Sequence, residues 1–393
     1  MSGYKGKRKK TSPKTRNKHK IKNGYFAIPA ILIVIFAVYL ITLCAHPVGV
    51  IEYLKTEYIS MGTGNGYNID IHDGKPIYNL SADKKYVVVS SNYVNCYNID
   101  GKLIFEKSHS LSEPVVKLSE TRYLLYSQGE SALQINSFSK QLFVQNFSSG
   151  IISADISDSG FFAVATESEG YNSSVCVFNK DNEKVYEWFS PDETINALSL
   201  SDNGNILAVS TLKVSNGKFI SNFYVLNYKS ADPVYKKTYE DDVVYQIYPT
   251  NNNVFAAVFS NNVEFINYRK GTEASHKSDY SISLVKHIQD KLIVLRSIAA
   301  SQDECMIEIY NSVGKLKSSF KVDSYITDVS YHSNRVYMLG LHDVFKYNLK
   351  GDLILKNKSD YDVMFIESIS ANSIALIKSS SIDKYEFINT EGK

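Results

Sequence analysis

A short phrase recurs eight times in this chain at nearly constant spacing. Each copy is an alternating apolar strand that ends in Asn and runs into a short turn, often closed by Gly, as in CYNIDG at Cys96–Gly101. The Asn residues are Asn98, Asn136, Asn179, Asn227, Asn267, Asn311, Asn348 and Asn389. Seven intervals cover 291 residues, or about 42 each, and a period of about 40–45 residues with four short strands is typical of β-propeller blades. We attribute the recurrent Asn and Gly to the left-handed backbone of tight turns, which both residues tolerate.

The strand pattern predicts an all-β fold, a β-propeller of eight four-stranded blades. In the first blade we expect strands at Ile77–Leu80, Tyr86–Ser90, Val94–Asn98 and Lys102–Glu106. The eighth blade has three predicted strands, Val363–Ile366, Ser373–Lys378 and Lys384–Ile388. Because an unpaired edge strand is a liability, we expect the spare strand Tyr67–Ile71 to complete this blade and close the ring. The alternative is seven blades with Lys213–Asn222 as an insertion.

The N-terminal segment predicts a membrane anchor. Residues 1–24 contain ten Lys or Arg and no acidic residue, and so dense a block of like charge is predicted to be disordered. Tyr25–Ala45 follows as 21 residues without a charge, which at about 1.5 Å per residue spans the roughly 30 Å hydrocarbon layer. The positive-inside rule places the tail in the cytoplasm, against anionic inner-leaflet lipids, and the propeller on the extracytoplasmic side of the cell membrane.

Two other interpretations of this segment are open. The tail could be a nucleic-acid-binding arm, but its position beside an apolar stretch argues against nucleic acid as a partner. The apolar stretch could be a cleaved signal peptide or a lipoprotein signal ending near Cys44, although signal peptides usually have a shorter apolar region. The expected organisation is a tail at 1–24, one transmembrane helix at 25–45, a juxtamembrane linker at 46–66 and a propeller at 67–393. In the linker we expect a short helix at Val50–Tyr58 and a flexible hinge at Gly62–Gly66.

The sequence carries no catalytic signature. It has no G-x-S-x-G elbow, H-E-x-x-H motif, P-loop or EF-hand loop, and its eight His lack the spacing of metal ligands. We therefore predict no catalytic residue, no metal site and no cofactor. Cys96, Cys176 and Cys305 lie in different predicted blades, so we interpret them as unpaired small hydrophobic residues. His287 is interpreted as a structural side chain rather than a channel-facing group, and Glu240–Asp242 as a solvated turn rather than a cation site.

One face of the predicted disc is the candidate binding surface. Propellers place the turns before the inner strands, and those between second and third strands, on the same face, where loops on a rigid scaffold carry function. Three second-to-third loops are predicted to be enlarged, Glu167–Asn172, Lys213–Asn222 and Ala299–Glu304. Three Tyr precede inner strands on this face, and Tyr offers broad amphipathic contact area. The candidate binding residues are Tyr171, Asn172, Lys213, Lys218, Phe219, Tyr280, Asp303, Glu304, Tyr325 and Tyr361. The alternative is that Tyr simply favours strand starts in a chain with 29 Tyr.

Two segments carry a resemblance to known propellers. Two turns followed by apolar strands, SDSG at Ser157–Gly160 before FFAVAT and SDNG at Ser201–Gly204 before ILAVST, resemble the turn that leads into the second strand of a blade in WD40-like and quinoprotein-like propellers. The Gly-His and Trp-Asp pairs of WD40 blades are absent from the sequence, and Trp188 alone cannot supply a repeated Trp motif. The whole layout resembles a bacterial family of membrane-anchored propellers with no assigned function. This resemblance implies the fold and no chemistry.

Three hypotheses for the function follow. The leading one is a non-enzymatic, membrane-tethered scaffold that holds membrane or envelope proteins against the propeller face. The second is a module that binds or senses cell-wall glycan or a small ligand. The third is a propeller-type lyase or hydrolase, which would need His, Arg and carboxylates clustered in the central channel.

Overall fold

A computed structural model describes residues 48–71, 74–82, 84–298 and 304–387, together with isolated positions between 3 and 37. The chain divides into two compact units, Met1–Ala45 and His46–Lys393. Among the described residues, no helix has both the length and the apolar character needed to cross a membrane. The basic tail and the predicted span Tyr25–Ala45 lie almost entirely outside the described residues.

The second unit is an eight-bladed β-propeller. After helix α1 (Val50–Ser60) and the short strand β1 (Ile69–Asp70), the described strands form eight antiparallel sheets of four strands each. Within a blade the strands are named A to D, and the A strands of neighbouring blades contact one another around the centre. This confirms the predicted blade count and excludes seven blades with an insertion.

The strand boundaries follow the blade order. Blades 1 and 2 contain β2 (Pro76–Ala82), β3 (Lys85–Ser90), β4 (Tyr93–Asn98), β5 (Leu103–Ser108), β6 (Pro114–Leu118), β7 (Arg122–Ser127), β8 (Ala132–Ser137) and β9 (Gln141–Asn146). Blades 3 and 4 contain β10 (Ile151–Ile156), β11 (Phe162–Ser168), β12 (Tyr171–Phe178), β13 (Lys184–Ser190), β14 (Thr194–Leu200), β15 (Ile206–Ser215), β16 (Lys218–Asn227) and β17 (Tyr235–Glu240).

The second half of the ring repeats this order. Blades 5 and 6 contain β18 (Gln246–Asn251), β19 (Val254–Val258), β20 (Val263–Asn267), β21 (Thr272–Ser275), β22 (Ser281–Ile288), β23 (Lys291–Ser297), β24 (Cys305–Asn311) and β25 (Leu316–Val322). Blades 7 and 8 contain β26 (Ile326–His332), β27 (Arg335–Gly340), β28 (Asp343–Asn348), β29 (Leu353–Lys358), β30 (Val363–Ser370), β31 (Ser373–Lys378), β32 (Ser381–Glu386) and β1.

The hydrophobic core is divided among the blade interfaces. Each of the eight interfaces between neighbouring blades holds its own cluster of buried side chains, including the interface between blades 8 and 1. A strand packed on both faces is a continuous apolar run, whereas in a strand at the perimeter more buried and more exposed residues alternate. Accordingly every residue of β3 and β7 is buried, while β17 alternates between half-buried and exposed positions.

The recurrent Asn closes the turn between strands C and D through its side chain. Asn98 Oδ1 accepts hydrogen bonds from the backbone N–H groups of Asp100 (3.0 Å) and Lys102 (2.8 Å). The same arrangement recurs in blades 3, 6 and 7. The Gly of the phrase does adopt the left-handed conformation, with φ of 86° at Gly101. Our attribution of a left-handed backbone was therefore right for Gly and wrong for Asn, which acts as an acceptor.

The N-terminal strand closes the ring as predicted, although it is shorter than expected. β1 pairs antiparallel with β32, with Ile69 opposite Ile382, and the Ile71 N–H continues the ladder to the Ser380 carbonyl at 2.8 Å. Side chains of Tyr67, Ile69 and Ile71 pack into the cluster between blades 8 and 1. First and last strands thus share one blade, so both ends of the described propeller are held in the ring.

Candidate functional site

The two faces of the disc are defined by the antiparallel order of each blade. The A–B and C–D turns lie on one face. The B–C turns lie on the other, together with the connections from strand D to strand A of the next blade. We call these the A–B face and the B–C face.

The first half of α1 is fixed to the A–B face by an ion pair. The Arg122 guanidinium, at the start of strand B of blade 2, donates two hydrogen bonds to the Glu52 carboxylate. The Nε–Oε1 distance is 2.6 Å and the Nη2–Oε2 distance is 2.8 Å. The third nitrogen of Arg122, Nη1, donates to the Lys180 carbonyl of blade 3 at 2.7 Å. Because the Arg122 side chain is only 7% exposed, this fork joins α1 to two blades.

The end of α1 and the segment after it are fixed to blade 1. Lys102 Nζ donates to the carbonyls of Ile59 and Met61, both at 2.7 Å. Asn98 Nδ2 donates to the Gly62 carbonyl at 2.7 Å. The predicted helix is confirmed and extends to Ser60. The segment predicted as a free hinge is instead hydrogen-bonded to the C–D turn of blade 1, because that turn offers side-chain donors that its own strands do not use.

A long hairpin projects from the B–C face of blade 4. Strands β15 and β16 have ten residues each, and their ladder continues through most of Lys213–Asn222, which was predicted to be a loop. At the tip, Asn216 and Gly217 both have positive φ, 52° and 75°, the conformation of a two-residue type I′ turn. An Asn-Gly pair flanked by alternating residues is the sequence signal that could have revealed this hairpin.

The tip of this hairpin presents apolar side chains to solvent. Val214 and Phe219 lie opposite each other across the two strands and are 67% and 52% exposed. Beside them, Lys218 Nζ lies 3.6 Å from Glu240 and 3.5 Å from Asp241 in the connection to blade 5. The tip therefore combines an apolar pair with a charged margin. We call Val214 and Phe219 the tip pair.

Three predicted residues meet where blades 3 and 4 adjoin. Asn172 and Lys213 line a groove of about 460 Å³. The neighbouring Tyr171 ring contacts the Phe189 ring in a tilted arrangement, with centroids 4.7 Å apart, and both rings are exposed. The groove is completed by Asp192, Thr194, Asn196, Leu212 and Val214.

The base of the hairpin is held by a buried carboxylate. Glu193 accepts hydrogen bonds from Asn222 Nδ2 (2.7 Å) and the Tyr224 hydroxyl (3.1 Å), and it pairs with Lys213 Nζ at 3.0 Å. Burial alone would raise the pKa of Glu193, but hydrogen bonds from Thr211 and Lys213 outweigh it and lower the pKa below its ordinary value. A carboxylate kept ionised in this way orients the hairpin rigidly on blade 4.

The other predicted residues do not join this patch into one site. Tyr361 is 85% exposed, and its ring contacts the His342 ring in a tilted arrangement, with centroids 4.4 Å apart. Tyr325 is also exposed, whereas Tyr280 is half-buried above the buried Arg296. Glu304 pairs with Lys321 at 2.5 Å. Asp303 lies outside the described residues.

A polar network crosses the centre of the ring. Lys286 of strand β22 pairs with Asp328 Oδ1 of β26 at 2.5 Å and donates to Asn79 Oδ1 of β2 at 3.2 Å. Asn79 Nδ2 and Ser81 Oγ in turn donate to Glu367 of β30 at 3.2 Å and 2.6 Å. Blades 6 and 1 are not neighbours, so these bonds tie the ring across its channel. We call Lys286, Asp328, Glu367, Asn79 and Ser81 the central network.

The sequence analysis did not predict this network and considered His287, the residue next to Lys286, instead. It singled out His287, but strand alternation turns Lys286 toward the network and His287 to the other side of the strand, where it is half-buried and desolvation lowers its pKa. The available signal was charge on or directly beside the predicted inner strands, since Glu367 follows the predicted strand Val363–Ile366 and the structure places Lys286, Asp328 and Glu367 in A strands. One cation faces two carboxylates, and burial raises the pKa of Glu367 above its ordinary value despite the nearby Lys286.

The substitution Glu367→Gln should remove a pH dependence of stability. A carboxyl whose folded-state pKa is raised keeps its proton longer when folded, so wild-type stability falls as pH rises from the ordinary Glu value, about 4.3, through the raised value. The Gln variant lacks this loss, so its free energy of unfolding should rise relative to that of wild type as pH increases above the ordinary Glu value. Urea unfolding followed by Trp188 fluorescence measures the difference. Equal pH dependence in both proteins would contradict it, and Glu106→Gln on the exposed edge of β5 is the control.

The fold and the family are established by comparison with known proteins. The C-terminal WD40 domain of Sif2 is similar with a TM-score of 0.55 and 14% identity, covering 82% of this chain and 98% of that one. Apo AztD from Citrobacter koseri gives a TM-score of 0.51 and 11% identity, covering 74% and 87%. BamB from Moraxella catarrhalis gives 0.50 and 10% identity, covering 80% and 100%. At these identities the likeness shows the fold alone, and it confirms the expected β-propeller.

Sequence comparison then places the chain in a family. A search of the curated proteins finds no match. The model of DUF5711, described as a family of unknown function, matches residues 55–387. This match begins inside α1 and runs to the last described residue of blade 8. The chain therefore belongs to the DUF5711 family, a family of unknown function.

Proposed function

We propose that this protein is a non-enzymatic scaffold that Tyr25–Ala45 tethers to a membrane and that holds a protein partner on the B–C face, outside the cytoplasm. The observation that carries the proposal is the placement of α1. Its ion pair through Glu52 and its bonds to Lys102 lie on the A–B face. A tether that joins the propeller through α1 leaves the opposite face, with its long hairpin, free for a partner.

The chemistry of the B–C face suits a protein surface. The tip pair and the adjoining rings of Tyr171 and Phe189 supply exposed apolar and aromatic area beside a polar groove, the combination found at interface centres. Acidic side chains recur in the turns of this face, at Asp192, Glu240, Asp241, Asp279, Asp323 and Asp360. A partner rich in Lys and Arg would match them, whereas an anionic polymer would be repelled.

Changing the tip pair should weaken partner capture without unfolding the propeller. The double substitution Val214→Ser/Phe219→Ala removes exposed apolar area, and losing one central anchor typically costs about 1–2 kcal/mol or more, so capture should fall at least about fivefold and up to about thirtyfold. The measurement is in-cell crosslinking of the full-length protein, followed by membrane purification and quantitative mass spectrometry of what travels with it.

The control for this experiment is Leu353→Ala, an exposed apolar position on strand β29 at the perimeter. It should leave capture unchanged. If the tip variant captures the same proteins in the same amounts as wild type, the hairpin is not the binding surface.

The glycan alternative is supported by one observation, the broad exposure of the Tyr361 ring beside the His342 ring. Aromatic rings presented in this way can stack on sugar rings. Under this alternative, Tyr280→Ala/Tyr325→Ala/Tyr361→Ala together should abolish binding to isolated wall fragments. Under the scaffold proposal, the same triple variant should still capture its protein partner through the tip pair.

A further inference from the structure

We propose that the A–B face rests on the headgroup region of an anionic lipid bilayer, with the outer side of α1 as its apolar contact and the C–D turns as a cationic rim. This inference goes beyond the scaffold proposal, because it assigns a ligand to the opposite face. The inference starts from α1, whose apolar stripe is exposed instead of being buried against the propeller. A helix packed on a protein normally buries its apolar stripe. Here Thr56 is buried and Glu52 half-buried.

The apolar stripe of α1 faces away from the propeller. Ile51, Leu54, Lys55 and Tyr58 recur at the spacing of one helix face and are all exposed, Ile51 by 72% and Tyr58 by 78%. We call these four residues the outer stripe. A mainly apolar groove of about 430 Å³ extends the outer stripe to Ser139, in the C–D turn of blade 2. Leu and Ile beside Tyr and Lys is the composition of helices that lie in a membrane interface, where Tyr and Lys reach the headgroups.

The covalent chain limits how far α1 can lie from a membrane. Val50 is five residues after Ala45, the last residue of the uncharged stretch, and five residues reach at most about 17 Å. The headgroup layer is several ångströms thick on each side of a core of about 30 Å. A bilayer that holds Tyr25–Ala45 therefore keeps the outer stripe within reach of its own surface. No comparable constraint brings a second copy or another protein there.

The charge of the C–D turns complements anionic lipid. Each of the first seven blades carries Lys or Arg in this turn, namely Lys102, Lys140, Lys180, Lys229, Arg269, Lys270, Lys315 and Lys350. Most of these side chains are exposed. The acids in the same turns are Asp100, Asp181, Glu183, Asp232 and Asp352, and Asn side chains hold Glu183 and Asp352. The described A–B turns, nearer the channel, are mainly acidic, with Glu120, Asp158, Asp202 and Asp290 against Lys84. The perimeter is thus a cationic rim, and each Lys or Arg near an anionic surface contributes about 1 kcal/mol.

The test places a photoreactive residue on each face of the full-length protein in vesicles. Benzoylphenylalanine replaces Leu54 or Tyr58 in the outer stripe, or Tyr361 on the B–C face as the control. The vesicles contain phosphatidylcholine alone or with about one-third phosphatidylglycerol. After irradiation, mass spectrometry should show at least fivefold more lipid adduct at positions 54 and 58 than at 361. Equal lipid adduct at all three positions, adducts joining two copies, or failure of the protein to float with the vesicles would overturn the inference.

The cationic rim is tested in the same assay. The quadruple variant Lys229→Glu/Lys270→Glu/Lys315→Glu/Lys350→Glu should cut the lipid adduct at position 58 severalfold in the anionic vesicles and leave it unchanged in the neutral ones. Trp188 fluorescence checks that the variant is folded. An unchanged adduct in anionic vesicles would overturn the role of the rim. Partner capture through the tip pair is measured separately, so either proposal can fail without the other.

Discussion

Glu52→Ala should lower the free energy of unfolding by about 3 kcal/mol and release α1 from the propeller. Removing one member of a buried ion pair typically costs about 3–5 kcal/mol, because the other charge is left without compensation. Glu52 is partly exposed, which places the expected loss at the lower end of that range. The hydrogen bond from Arg122 to the Lys180 carbonyl would remain. Hydrogen exchange measured by mass spectrometry should show faster exchange in residues 50–60 than in blade 2.

Two variants separate the ion pair from general effects of charge. Arg122→Lys keeps the charge but loses the two-pronged fork, and it should recover only part of the stability. Lys184→Met breaks the pair of Lys184 with Glu187 at 3.0 Å on the exposed face of β13, and an exposed pair of this kind contributes about 0–1 kcal/mol. If Glu52→Ala destabilises no more than Lys184→Met, α1 is not anchored by this contact.

The sequence predicted the propeller because its strongest signals are local. The C–D turn needs an acceptor for two backbone N–H groups, and Asn98, Asn179, Asn311 and Asn348 each meet that need within four residues. A local requirement repeated in successive blades becomes a visible period. Blade 2 shows the limit of the signal. There Ser137, one residue after the Asn of the phrase, accepts from the Lys140 N–H, which is why that copy is weak.

The sequence did not predict contacts between residues that are far apart along the chain, and the reason is physical. Glu52 and Arg122 are 70 residues apart, and Asn79 and Glu367 are 288 apart. Neither pair occupies equivalent positions in two blades, so the repeat offers no template for matching them. Strand alternation shows that such a side chain faces the channel, but the closed ring alone decides which partner it meets.

The sequence predicted which face of the propeller carries the candidate site, but not which of its residues contact one another. Topology puts Tyr171, Lys213 and Phe219 on the B–C face, and the structure places Tyr171 and Lys213 where blades 3 and 4 adjoin. The extended ladder of β15 and β16 was missed because its polar residues were interpreted as a loop. Its Asn216-Gly217 turn and its alternation were a stronger signal than its composition.

Lys286→Met should be the most damaging single change in the channel, with a loss of about 3–5 kcal/mol near neutral pH. Asp328 and Glu367 are both buried, and Lys286 is the cation that compensates them in the central network. Without Lys286, the two buried carboxylates would lie in one site with no cation from the central network to compensate them. Because protonation removes their repulsion, the loss should shrink as pH falls toward 4. Urea unfolding at pH 4.5 and pH 7.5 measures both effects.

The matched control for this variant is Lys218→Met, which removes a Lys from two carboxylates that are largely exposed, Glu240 and Asp241. Solvent compensates those carboxylates, so we expect a loss of no more than about 1 kcal/mol. The double variant Lys286→Met/Asp328→Asn should recover part of the stability, since only Glu367 then needs a proton. The central network also holds blade 1 against blade 8, so Lys286→Met should speed hydrogen exchange at Ile71, whose N–H completes the closing ladder. Unchanged exchange there would show that β1 closes the ring without help from the channel.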